Sequence, residues 1–389
     1  MLLGVLRVLG YEKGLWYNFV QLWMEGSLLC ALNVLRNKEM TIRKFAPSPL
    51  SEGSLVGFAS KGLFAGIVFA MQLVCGCNSV VCENSAISGP VKLSKLGTFD
   101  IFIVEATPIV FKGRLMLMEY IRWSSPVKRY RDNDTGESYL RFRDMSDMSS
   151  FTPPFGHGLH LGSAFVDGDR VIVTAVERWG GSRFYQMEST DLVNWTKPRL
   201  ILEDPRWKGY NTTMCKDGDR YVLAFELGAP RELVGKPFTM FFAESTDLVN
   251  WKVVEGAAMG RDRYTGAPML RCFGGQFYFF HLEGNYKDGF ETRVARSSDL
   301  KNWQFSPHVV LSYCKDDRKI HPTARFNAKE LETIAAAENI NASDLDMCEF
   351  GGKLVCFYSW GNQCGKEFSA LAEADCTERE FCESFFAEK

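Results

Sequence analysis

Eight residues, ESTDLVNW, stand at 188–195 and again, letter for letter, at 244–251, and a looser copy, RSSDLKNW, occupies 296–303. The copies start 56 and then 52 residues apart. A near-regular period of this length marks one supersecondary unit repeated along the chain, and such units are stable only when they bury their faces against one another.

What the unit is can be read between the copies. From about residue 95 the sequence runs in short apolar stretches rich in Val, Ile, Phe and Tyr, broken by Gly, Asp and Asn about every ten residues, which is an all-β pattern. VFKGRLML, FVDGDRVIV, CKDGDRYVLAF, CFGGQFYFF and CEFGGKLVCFY each read as strand, two-residue turn, strand. Counting back from these turns, the first strands open at Glu105, His160, Tyr210, Ala267 and Asp344, at intervals of 55, 50, 57 and 77 residues. The last interval is long because NAKELETIAAAENI, at 327–340, has helical spacing with Asn327 as N-cap. Five sheets of one design predict a five-bladed β-propeller over 95–389, with one helical insertion between blades 4 and 5 and the first strand of each blade lining a central channel. The repeated motif then belongs to the scaffold. Asp191, Asp247 and Asp299 would fix a turn by accepting backbone N–H groups, while the Leu and Trp fill the gap toward the neighbouring sheet.

The balance of 45 basic against 47 acidic residues, with no long basic run, argues against nucleic acid as a partner. Twelve cysteines are scattered without structural-zinc spacing; Cys215, Cys272, Cys348 and Cys356 sit in strand-like apolar stretches as small buried hydrophobes. The run GLFAGIVFAMQLVCGCNS at 62–79 is short for a membrane span and suits the apolar core of a secretion signal. V-C-G-C at 74–77 resembles a bacterial lipobox, which would lipidate Cys77. An uncleaved interfacial or anchor helix is the other reading. Residues 1–78 are therefore expected to be a leader, 79–94 a linker, and the protein secreted, periplasmic or lipid-anchored at the cell surface.

The S-x-D-L-x-x-W turns, with VEATPIVFKGRL, HLGSAFVDGDRV, YTGAPMLR and NASDLDMCEFGGK, resemble the five-bladed propeller glycoside hydrolases of families 43, 32, 68 and 117, closest to uncharacterised family-43-like secreted proteins. The resemblance covers about 95–385. It implies hydrolysis of an oligosaccharide or polysaccharide fragment by paired carboxyl groups, without an organic cofactor; families 43 and 117 invert, families 32 and 68 retain. The alternative is a propeller that binds glycans without catalysis.

Glycoside hydrolysis needs one protonated and one ionised carboxyl group flanking the scissile bond. In the first blade Glu105 or Asp100 would be the base; Glu105 is favoured by register, unless it pairs structurally with an arginine such as Arg122 or Arg183. Glu226, ending the apolar strand VLAFELG, would have its pKa raised by burial into the range of a general acid. Glu177 is its counterpart in blade 2, and otherwise binds sugar beside Arg178. The resemblance to family 117 makes His160 a further candidate acid or a substrate contact. Asp344 and Asp346, two apart on one strand, would face the same way and tune an acid, orient hydroxyls or hold a cation such as calcium. Tyr210, Tyr264, Trp179 and Trp360 would stack on sugar rings or pack in the core.

Overall fold

The computed structural model describes residues 89–122, 137–236 and 238–387. The leader with Cys75 and Cys77, and most of the linker with Cys82, lie outside the described residues.

The strands are β1 (Ser94–Ile101), β2 (Thr107–Phe111), β3 (Arg114–Ile121), β4 (Tyr139–Asp144), β5 (His160–Asp167), β6 (Arg170–Val176), β7 (Arg183–Ser189), β8 (Arg199–Glu203), β9 (Lys208–Asp217), β10 (Arg220–Ala229), β11 (Thr239–Ser245), β12 (Lys252–Met259), β13 (Gly266–Phe273), β14 (Gln276–Asn285), β15 (Gly289–Ser297), β16 (Gln304–Phe305), β17 (Asn341–Phe350), β18 (Lys353–Gly361) and β19 (Glu367–Ala374). They form a first sheet β2-β3-β4, a second β5-β6-β7-β8, a third β9-β10-β11-β12, and an eight-stranded sheet. That last sheet is two antiparallel runs, β13-β14-β15-β16 and β17-β18-β19-β1, joined by the single parallel pair Phe290 and Asn341. β1 pairs antiparallel with β19, so the first of the described strands completes the last run.

All five expected hairpins are present with two-residue turns: β2–β3, β5–β6, β9–β10, β13–β14 and β17–β18. At Gly274–Gly275 and Gly351–Gly352 both turn residues have positive φ (60° and 75°, 63° and 79°), the geometry that matches strand twist and that glycine adopts at no steric cost.

The repeated motif builds three superimposable turns. Asp191 Oδ1 accepts the N–H groups of Val193 and Asn194 at 2.9 and 2.7 Å. Asp247 and Asp299 repeat the pattern at 2.8 and 2.8 Å and at 2.9 and 2.8 Å. These bonds hold all three carboxyl groups below the usual Asp range. Leu192, Leu248 and Leu300 are buried with left-handed φ of 63°, 62° and 62°. Each Trp reaches back to the preceding sheet: Trp195 stacks on Phe155 at 3.9 Å, Trp251 Nε1 donates to Gln186 at 3.2 Å, and Trp303 stacks on Phe242 at 5.6 Å. The sheets are thus interlocked by apolar contact, and Phe99, Leu117, Phe357 and Leu371 join the β17-β18-β19-β1 run to the first sheet in the same way.

Three short helices interrupt the described strands: α1 (Arg231–Val234), α2 (Ala328–Ala335) and α3 (Glu378–Ser384). α2 starts at the expected cap, with Asn327 and Glu330 forming a reciprocal capping box at 3.0 and 3.1 Å. It ends before 340, because Asn339 bonds Asp317 and the Ile340 N–H donates to Gly361, which starts the approach to β17.

Candidate active site

A small, open pocket is lined by Glu105 to Thr107, Gly162, Ser163, Asn211, Thr212, Ala267, Pro268 and Asp344 to Asp346. Every wall comes from the opening of the first strand of a hairpin, so residues more than 200 positions apart meet there. Four of these openings share a backbone feature: Glu105, Leu161, Ala267 and Asp344 have left-handed φ of 52°, 52°, 53° and 50°. Pairing slips beside three of them, between His160 and Ser163, Gly266 and Met269, and Ser343 and Asp346. A non-glycine residue in this region is strained, and a bulge re-aims its side chain.

Both carboxylate oxygens of Glu105 accept from Arg122 Nη2 at 2.8 Å. Arg122 is half-buried; desolvation works against its charge, but the charges of Glu105 and Glu367 outweigh it and raise its pKa. Its guanidinium lies 5.3 Å from the Trp179 ring centre and 5.7 Å from that of Tyr120. The other arginine named with Glu105, Arg183, pairs instead with Glu177.

Glu226, on β10, is buried where the pairing with β9 slips between Phe225 and Leu227. Asn211 Nδ2 donates to it at 3.1 Å, and the Ala267 N–H also donates. Desolvation dominates: with the charges of Glu105 and Asp344 it pushes the Glu226 pKa up to about 8, against the pull of Asn211. Asp344 is raised to about 7, first by burial and then by the charge of Glu105, while Ser343 Oγ donates to it at 2.5 Å. Glu367, at the start of β19, is raised by burial and senses Arg122 and Glu105. Hydroxyl groups extend the wall, with Thr212 Oγ1 2.8 Å from Thr174 Oγ1 and 3.2 Å from Ser163 Oγ.

Glu105, Glu226 and Asp344 therefore share one electrostatic neighbourhood, whereas several residues grouped with them on sequence grounds are committed elsewhere. Asp100 is a buried partner of Arg143 at 2.5 Å, in a cluster with Glu119 and Arg141, which removes it as a base. Asp346 lines the pocket, but its carboxylate is bound by Arg271 at 2.6 Å, and Arg271 also holds Glu378. The left-handed Asp344 and the slip beside it break the strand's alternation, and the two carboxylates, both on the pocket, have different partners: Ser343 and the charge of Glu105 for Asp344, Arg271 for Asp346. Glu177 is bound by Arg183 at 2.7 Å and by the Ser182 N–H, which lower its pKa and make it a poor acid; Arg178 is exposed beside it.

His160 is displaced by one position from the expected register, which Leu161 occupies. Its Nδ1 hydrogen-bonds Tyr120 Oη at 2.6 Å, and burial and the Arg122 charge lower its pKa to about 4. It is neutral at pH 7 and so is not a proton-donating imidazolium. Trp360 is fully buried, donates from Nε1 to Thr98 at 2.8 Å and stacks on Phe368 at 4.4 Å, so it belongs to the core. Tyr210 and Tyr264 lie in a train of edge-to-face rings, Trp179–Tyr210–Phe238–Tyr264–Phe290, with centres 5.7, 4.8, 5.6 and 5.7 Å apart. Their faces are spent on one another rather than standing open as platforms.

Sequence reasoning missed Glu367 and Asn211. Both stand at or near strand openings, where a polar residue reads as a turn former. The donor set does not suit calcium: Glu105 spends both oxygens on Arg122, and among the described residues no three His, Cys, Asp or Glu side chains are grouped to hold a metal.

No family model matches the sequence, and no curated protein does. Solved structures do resemble the chain. A thermostable family-43 glycoside hydrolase is 10% identical over 72% of this chain and 91% of its own, with a TM-score of 0.47. The catalytic domain of a family-62 α-L-arabinofuranosidase from Coprinopsis cinerea is 12% identical over 74% and 99%, at 0.47. A xylan β-1,4-xylosidase from Bacillus halodurans is 12% identical over 74% of this chain and 55% of its own, at 0.47, so the chain spans about half of that protein. Each of these three proteins is described as a glycoside hydrolase.

Proposed function

We propose that the chain is a five-bladed propeller glycoside hydrolase, with α2 inserted between blades 4 and 5. The two runs of the eight-stranded sheet are read as separate blades because one residue pair joins them. The observation that carries the reading is Glu226: a buried carboxyl group that keeps its proton to about pH 8 while facing the negative charges of Glu105 and Asp344. In this proposal Glu226 protonates the glycosidic oxygen, and Glu105 serves as base or nucleophile at the anomeric carbon. Asp344, half-protonated near neutrality, sets the charge that Glu226 feels. Arg122 orients Glu105 through both of its oxygens, and Asn211 orients Glu226. The substrate is an oligosaccharide or polysaccharide fragment, and export or surface anchoring through Cys77 is part of the proposal.

A second reading, a glycan-binding propeller without turnover, is favoured by one observation: the Glu105 carboxylate is already engaged by Arg122. A screen on aryl glycosides and on plant and algal oligosaccharides separates the two. The enzyme reading expects reducing sugar from the wild type, with release lost and binding retained in Glu105→Gln. Binding without release by the wild type establishes the second reading.

A further inference from the structure

The inner strands of the third sheet and of the β13-β14-β15-β16 run carry two cysteines outside the site. β9 and β13 lie side by side, and the Leu270 N–H donates across the gap to Thr213 Oγ1 at 3.2 Å. Two residues further along each strand, on the same faces, stand Cys215 and Cys272. Leu270 and Cys272 pack in the apolar cluster that encloses Cys215, with Val222, Phe242 and Phe277. The two thiols are free, and each shifts the titration of the other. Cys215 is buried, whereas Cys272 is partly exposed and gives a reagent its approach.

We infer that Cys215 and Cys272 are a thiol pair that closes to a disulfide by exchange with a small-molecule disulfide, stitching the third sheet to its neighbour below the pocket. The two sulfurs divide the chemistry. The neighbouring Cys215 thiol and the Gly275 N–H lower the Cys272 pKa, against burial and the nearby Asp217, whereas burial raises that of Cys215. The thiolate is the nucleophile, so Cys272 attacks first. With oxidised glutathione, Cys272 Sγ bonds to one glutathione sulfur as the other leaves and takes up the proton that Cys272 lost. Cys215 Sγ then attacks Cys272 Sγ, and its proton goes to the second glutathione as that leaves. Two protein thiols are oxidised and one disulfide is reduced to two thiols.

The test uses the full chain, treated with oxidised glutathione, blocked with iodoacetamide and mapped by peptide mass spectrometry. The expected result is a Cys215–Cys272 cross-linked peptide and a thermal midpoint raised by several degrees, both reversed by dithiothreitol. The exposed Cys314 serves as reference and carries only a mixed disulfide. Cys215→Ser is expected to leave glutathione trapped on Cys272. If both thiols are found alkylated, or Cys272 stays as the mixed disulfide while Cys215 is free in the wild type, the inference is overturned. Should Cys215→Ser fail to fold, the wild-type map decides alone.

Discussion

The outer turns and the inner strand openings use the same backbone device for opposite ends. At the rim, Leu192, Leu248 and Leu300 hold φ near 62°; at the pocket, Glu105, Leu161, Ala267 and Asp344 hold φ near 52°. The rim repeats its side chains with its backbone: the same Asp accepts the same two N–H groups in all three copies. At the pocket the backbone recurs and the side chains do not, giving an acid, an aliphatic residue, an alanine and another acid. Repetition of sequence therefore marks where every sheet needs the same packing, and its loss marks where side chains from different sheets are set against one another.

The largest effect expected from this contrast is at Glu226, which Asn211 of the pocket lining holds. Glu226→Gln removes the proposed acid and should lower kcat about 10²- to 10⁴-fold while the chain stays folded. A kcat close to wild type on a released sugar would break the comparison at its functional side. The next effect is pH-dependent. The folded pKa of Glu226, about 8, lies above its ordinary 4.5, so the folded state binds more protons than the unfolded one between these values. Stability linked to this group is full below pH 4.5 and is lost as pH rises through 8. Glu226→Gln should match the wild type at pH 4 and exceed it at pH 8 by on the order of 4 kcal/mol. Equal stabilities at both pH values would mean that the carboxyl group is not desolvated. Third is the rim: Trp195→Ala empties the stack on Phe155 and Phe142 and should destabilise by about 3 kcal/mol without moving KM, read by denaturant unfolding. The smallest effect is at Glu177, bound by Arg183 away from the pocket: Glu177→Gln should leave turnover unchanged and lower the thermal midpoint by about 2 °C or less.

The hairpins and the rim turns were legible because their chemistry is local. A two-residue turn with both φ values positive selects Gly-Gly, and an Asp that captures the next two amides selects S-x-D-L-x-x-W. The pocket was legible only as a set of strand openings. A bulge leaves no fixed residue type, so counting assigned His160 to the position that Leu161 takes and did not show that Arg271 holds Asp346. Arg122 was visible as one of two arginines for Glu105, but which one reaches it depends on strand pairing between β3 and β2. Trp360 and Tyr210 read as mouth residues because aromatic residues near strand ends look alike whether covered or open. Nothing in SKLGTFDI signals that its partner lies near the other end of the sequence.

That pairing has a bearing on biosynthesis. Ser94 meets Glu373 and Ile101 meets Phe368, so β1 leaves the ribosome more than 260 residues before the strand it pairs with and must wait for it. Until then a growing polypeptide carries an unpaired edge at β1 while later hairpins form beside it, which favours a slow final step and exposes the nascent molecule to aggregation.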